Sequence, residues 1–223
     1  MTRLLKRLIL GILILGLVFG FVGSALADDP DLAKSSTLER ILKEGKIRVG
    51  LNAGYVPFEM LDKDGNFIGF DVELAQYMAE RLGVKLEIVN VDWDGIIPAL
   101  LTDKFDVIMS GMTRTLERAK AVNFTQPYFI TGQSLLLSKE RSADIKSYQD
   151  LNVKGKIVTA MLGTTGDFAA TKFLPNAEIK RFETEAEAAA EVAFGRADAM
   201  VYDQPFVAIY SREHSDTTFA ILE

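Results

Sequence analysis

Two hydrophobic periods alternate along the chain. KIRVGLN (residues 46–52) and KLEIVNV (85–91) are apolar runs of strand length. Between them VELAQYMAERLG (72–83) sets Leu74, Ala75, Met78 and Leu82 at helical spacing before a terminating Gly83. TLERILKEG (37–45) reads as a short helix with Thr37 as its candidate cap, and LDKDGNFIGFD (61–71) as a hairpin about Asp64-Gly65. WDGIIPALLTDK (93–104) predicts a helix whose start is marked by Asp94, and FDVIM (105–109) a strand covered on both faces. Strands and helices in this order predict an α/β layer on a largely parallel sheet.

The pattern changes after NFTQPYF and a second α/β unit begins. ITGQSLLLSKE (130–140) is extended, SADIKSYQDLN (142–152) is polar with a short helical turn, and KIVTAML (156–162) is a strand. GTTGDFAATKFL (163–174) turns helical, AEIKRF (177–182) is a strand, TEAEAAAEVAFG (184–195) a helix and ADAMVYD (197–203) a strand. The two halves echo weakly: ALLTDKFDVIMSG against EVAFGRADAMVYD pairs Lys104 with Arg196 and Asp106 with Asp198.

The first 27 residues stand apart. Arg3, Lys6 and Arg7 precede an uncharged apolar run, and Ala25-Leu26-Ala27 closes it, which is the order of a cleaved secretory signal peptide. The alternative is an uncleaved anchor, but Leu8 to Val22 is only 15 residues, short of the roughly 20 that span a bilayer. Cleavage after Ala27 leaves an exported, periplasmic chain whose residues 28–36 form a flexible arm. Its formal charge moves from −6 to −9, which argues against a nucleic-acid partner. The chain has no cysteine and one histidine, His214, expected in a surface loop. Disulfides, thiolate chemistry, a histidine metal cluster and a Ser-His-Asp triad are therefore excluded. No metal and no cofactor are expected.

In open α/β sheets ligands collect beyond the carboxyl ends of the strands. Asn52 and Tyr55 follow the first strand here, Trp93 the next, and Ser110, Gly111, Thr113 and Arg118 follow FDVIM. Gly163, Thr164 and Thr165 open a helix, and Asp203 ends ADAMVYD. Arg118 offers a planar fork for a carboxylate, the GTTG turn offers backbone N–H groups, Asp203 accepts from an ammonium, and Tyr55 and Trp93 supply apolar walls. Together they complement a free amino acid. Each has a plainer reading: Arg118 as a solvated arginine in the first turns of a helix, GTTG as a cap, Trp93 as core, Asp203 as a turn or helix start. GTTG also lacks the lysine and spacing of a nucleotide P-loop.

At these residues the sequence resembles bacterial periplasmic amino-acid-binding proteins, the extracellular solute-binding proteins of family 3. The matching stretches are IRVGLNAGYVPFEM, GNFIGFDVELAQYMAERLG, WDGIIPALLTDKFDVIMSGMTRTLERAKAVNFTQPYF, LGTTGDFAATKFL and GRADAMVYD. The resemblance implies a two-lobed Venus-flytrap α/β fold, with lobe 1 over residues 37–128 and lobe 2 over 129–223, truncated at the C-terminus. Lobe 1 would then lack its returning strand and cover, exposing apolar surface and a strand edge. The resemblance gives Arg118 the ligand α-carboxylate, Gly111 and Thr113 contacts to both charged groups, Thr165 an N–H to the carboxylate, and Asp203 the α-ammonium. Tyr55 and Trp93 would sandwich the ligand side chain. Asn52, neutral where relatives that select cations can be acidic, points to a neutral or polar amino acid. The implied partner is the permease of an ABC importer, with the binding protein monomeric and not an enzyme. Two other classes are open: a dehydratase acting on prephenate or arogenate, with Glu59 and Asp203 near the cleft, and an extracytoplasmic sensor domain.

Overall fold

The computed structural model describes residues 36–222, so the signal segment and residues 28–35 of the arm lie outside the described residues. The chain divides after Glu44. In the first unit, helix α1 (Thr37–Glu44) is capped by Ser36 rather than Thr37: the Ser36 hydroxyl accepts from the Glu39 N–H at 3.3 Å.

Among the described residues from Gly45 on, two main sheets and a two-stranded ribbon make up the two-lobed α/β architecture. The first sheet is three-stranded, with strands β1 (Lys46–Leu51), β4 (Lys85–Asn90) and β5 (Val107–Ile108) in the order β4-β1-β5, all parallel. A two-stranded ribbon, β2 (Met60–Leu61) with β3 (Phe67–Ile68), makes the predicted hairpin. Helix α2 (Phe70–Leu82) buries Asp71, Ala75 and Ala79 at a spacing of four and stops at Gly83, whose φ of 70° and N–H to the Ala79 carbonyl make a left-handed cap. Helix α3 (Ile96–Leu101) is shorter than its pattern and follows a single tight turn, Trp93–Gly95, with Asp94 inside that turn.

FDVIM differs from expectation. Only Val107 and Ile108 pair, both are half-buried, and among the described residues β5 has β1 as its one neighbour. A groove of about 410 Å³ runs beside it, with Leu100, Met112, Val122 and Phe124 among its lining. An apolar run thus marks a strand, but the number of its neighbours is a property of the sheet.

The second sheet is mixed: β6 (Gln133–Ser138), β7 (Ile157–Met161), β8 (Glu178–Phe182), β9 (Ala199–Asp203) and β10 (Thr218–Ile221) lie in the order β10-β6-β9-β7-β8. β9 sits at its centre and is buried at every residue, which is why AMVYD reads as a continuous run. Helices α4 (Thr165–Phe173), α5 (Glu185–Ala193) and α6 (Gln204–Glu213) cover this sheet. α5 begins with a reciprocal capping box between Thr184 and Glu187. His214 caps the end of α6 and stacks on Tyr210 at 4.1 Å.

The internal echo has a physical basis. Asp106 accepts the Arg48 N–H at 2.8 Å and Asp198 the Ile157 N–H at 2.9 Å, so each aspartate secures the neighbouring parallel strand. Each also holds a cation: Arg48 at 2.7 Å from Asp106, Lys156 and Arg141 at 3.1 and 3.0 Å from Asp198.

Candidate functional site

The carboxyl ends of β1, β5, β7 and β9 converge on one narrow cavity of about 20 Å³. Of the eleven strand-end residues singled out from the sequence, all but Gly163 line it, joined by Glu59 and Tyr202. That volume admits little more than a water.

Arg118 lies in a single tight turn, Arg118–Lys120, not in a helix; its own N–H donates to the Thr115 hydroxyl at 3.1 Å. Its side chain is buried. Nη1 donates to the Thr113 carbonyl at 2.8 Å, Nη2 to the Gly163 carbonyl at 3.2 Å, and the guanidinium stands 5.2 Å over the Trp93 ring. Burial lowers its pKa, and the charge of Asp203 opposes that shift. The bland alternative, a solvated helical arginine, does not hold.

Asp203 ends β9 at the cap position of α6, yet its side chain makes no capping bond. It accepts instead from the Tyr55 hydroxyl at 3.0 Å and from Gln133 Nε2. Burial raises its pKa, while those two donors and Arg118 pull it down. Burial, then Asp203, pushes the Tyr55 phenol up.

The GTTG turn has the opposite polarity to the one expected at Gly163. The Gly163 N–H donates to Asp167, and its carbonyl accepts from both Arg118 and Trp93 Nε1, each at 3.2 Å. Thr164 caps α4, with its hydroxyl donating to the Met161 carbonyl at 2.7 Å and accepting from the Asp167 N–H. The Thr165 hydroxyl accepts from Gln133 at 3.1 Å.

On the other side, the Asn52 N–H donates to the Ser110 hydroxyl at 3.0 Å and Asn52 Nδ2 donates to the Val91 carbonyl at 2.9 Å. Ser110 donates to Glu59 Oε1 at 2.6 Å. Gly111 sits at φ 51°, and a Cβ there would meet Tyr55 Cε1 at 2.5 Å. Gly111→Ala is therefore expected to cost about 1–3 kcal/mol from overpacking, beside about 1 kcal/mol for the left-handed backbone. A urea midpoint unchanged from the parent would contradict this.

Tyr202 and Gln133 were not assigned to the site by sequence reasoning. Tyr202 meets Tyr55 edge-on at 5.6 Å and precedes Asp203 in β9. Gln133 opens β6 directly opposite Asp203. Only strand register reveals that pairing.

Residues 47–217 match the model of bacterial extracellular solute-binding proteins, family 3, and the chain belongs to that family. A probable histidine-binding protein of Neisseria gonorrhoeae is 38% identical over 76% of this chain and 63% of its own length. The chain thus spans less than two thirds of that relative. The ancestral amino-acid-binding protein AncCDT-1, a precursor of cyclohexadienyl dehydratase, superposes with a TM-score of 0.79 at 50% identity, covering 84% of this chain and 81% of its own. A binding component of an ABC transporter from Wolinella succinogenes, complexed with lysine, gives 0.75 at 47% identity, covering 79% and 76%. Among the described residues no helix is long and apolar enough to cross a membrane.

Proposed function

We propose that this chain binds a free L-amino acid, with a neutral or polar side chain, and acts as a periplasmic monomer that delivers it to an ABC importer. One observation carries the reading: buried Arg118, from the turn after β5, and buried Asp203, at the end of β9, are of opposite charge and line the same cavity. A zwitterion presents a carboxylate and an ammonium, and this pair complements both. A cavity of about 20 Å³ is too small for an amino acid, so the lobes must part to admit one. A ligand touching both then favours the closed state by its differential affinity. The contacts Tyr55–Asp203 and Arg118–Gly163 are the ones such a ligand would exchange for its own.

Differential scanning fluorimetry against the standard amino acids tests this, since a ligand specific to the native state raises the melting temperature. At one hundred times Kd the stabilisation is about 2.7 kcal/mol. A shift with lysine and arginine alone would overturn the neutral side chain and leave amino-acid binding standing. No shift with any of them would count against the whole reading.

A second reading rests on Glu59, a buried carboxyl on the cavity wall whose pKa is pushed up to about 9, chiefly by burial. A neutral acid there could assist a departing hydroxyl, as a dehydratase requires. Phenylalanine formed from arogenate would establish it.

A further inference from the structure

Two carboxyl groups are buried at the cavity wall, Glu59 lining it and Asp71 bonded to the backbone of Gly111. Glu59, in the loop before β2, is 1% exposed, and Asp71, in the first turn of α2, is fully buried. One oxygen of each is engaged. Glu59 Oε1 accepts from Ser110, while Asp71 Oδ2 accepts from the Gly111 N–H at 2.7 Å and the Tyr128 hydroxyl at 2.8 Å. The remaining oxygens, Glu59 Oε2 and Asp71 Oδ1, are buried with no N–H or O–H donor among the described residues.

The charged groups acting most strongly on Glu59 are Asp71 and Glu185, both acids, and the neutral phenols of Tyr55, Tyr128 and Tyr202 lie within reach of its charge. The charge of Arg118 acts on Asp203. Two uncompensated carboxylates cannot both stay ionised in such a place. A single proton resolves it, because it gives one orphaned oxygen a donor and the other an acceptor.

We propose that Glu59 and Asp71 share one proton, and that this acid–carboxylate pair is the positioning device for Ser110 and Gly111 on the cavity wall. Asp71, with two donors already on Oδ2, keeps the negative charge, and Glu59 carries the proton. Ser110 is then fixed in direction: it donates to Glu59 and accepts from Asn52. The role of that wall in binding rests on the function proposed above; the shared proton does not.

The pair has a pH signature. Glu59 would release its proton near 4.5 in the unfolded chain and holds it to about 9 in the folded one. Across that window the folded state binds a proton that the unfolded chain lacks. Stability from this group is therefore full below about 4.5, falls as pH rises and has lost its share above about 9. The fall is about tenfold in the folded-to-unfolded ratio per pH unit.

Glu59→Gln tests it, since an amide can donate to Asp71 and accept from Ser110 without titrating. In the parent, infrared spectroscopy at neutral pH should show the carbonyl stretch of a neutral carboxylic acid, which Glu59→Gln should abolish. Urea titrations between about pH 6 and 9 should show the variant's stability flatter by about tenfold per pH unit. Amide hydrogen exchange at Asn52 and Gly111 should stay slow in Glu59→Gln and quicken at least tenfold in Glu59→Ala. Equal slopes in parent and Glu59→Gln, or no neutral-acid band in the parent, would overturn the shared proton. Equal protection in Glu59→Ala would overturn the positioning role. No readout needs a ligand, so failure here is separate from failure of amino-acid binding.

Discussion

Arg118→Ala is expected to weaken amino-acid binding by about 3–5 kcal/mol, because a ligand carboxylate buried in the cavity would lose its charged partner. That is about two to four decades of affinity. The effect should be large because the guanidinium is held before any ligand arrives, by the Thr113 carbonyl on one nitrogen and the Trp93 ring beneath it. Preorganisation of this kind spares the ligand the cost of ordering the side chain. Arg118→Lys should recover little, since an ammonium cannot reproduce the planar fork or the stacking. Isothermal titration calorimetry with whichever amino acid raises the melting temperature is the measurement, and a loss under threefold would sink the clamp assignment.

Phe105→Ala is expected to cost about 3–5 kcal/mol of stability, the range for truncating a buried phenylalanine. The ring is 1% exposed and packs with Ile96 and Ala99 in the core of the first sheet's lobe. It lies against β1 at Gly50, where a Cβ would come within 2.4 Å of the ring. No side chain can swing in to fill the void from that side. Against a total domain stability of about 5–15 kcal/mol, the loss is a large fraction. It should also reach the site, since Phe105 precedes the short β5 that delivers Ser110 and Gly111. Chemical denaturation would check this, and a cost below about 1 kcal/mol would show that the neighbours close over the void.

Much of this architecture was legible in the chain. Helix α2 could be read from Leu74, Ala75, Met78 and Gly83 because helical period and a left-handed stop are local properties. β9 could be read from AMVYD because a strand buried on both faces needs no alternation. The start of α1 was read correctly, but its cap was placed one residue late, at Thr37 instead of Ser36, because two hydroxyl residues in succession offer the same cap. α6 was not separated from a turn, since Gln204-Pro205 suits either.

For the candidate site, position just past a strand end picked out ten residues that the structure brings around one cavity. Their individual roles there were less legible. Gly163 was expected to donate its N–H to a ligand, but Asp167, one helical turn on, takes it. Glu59 was placed near the cleft and Asp71 at the end of a hairpin, but their complete burial was not legible, since burial is invisible in a single sequence.

By itself the sequence determined the alternation of elements, the residue types at the strand ends and the absence of thiol chemistry, because these depend on local periodicity and composition alone. Only the tertiary structure decided that Arg118 and Asp203 share a cavity, that Gln133 faces Asp203, and that two acids meet behind Ser110. Those facts depend on sheet order and register between residues far apart in the chain, where burial turns ordinary side chains into charged or protonated partners.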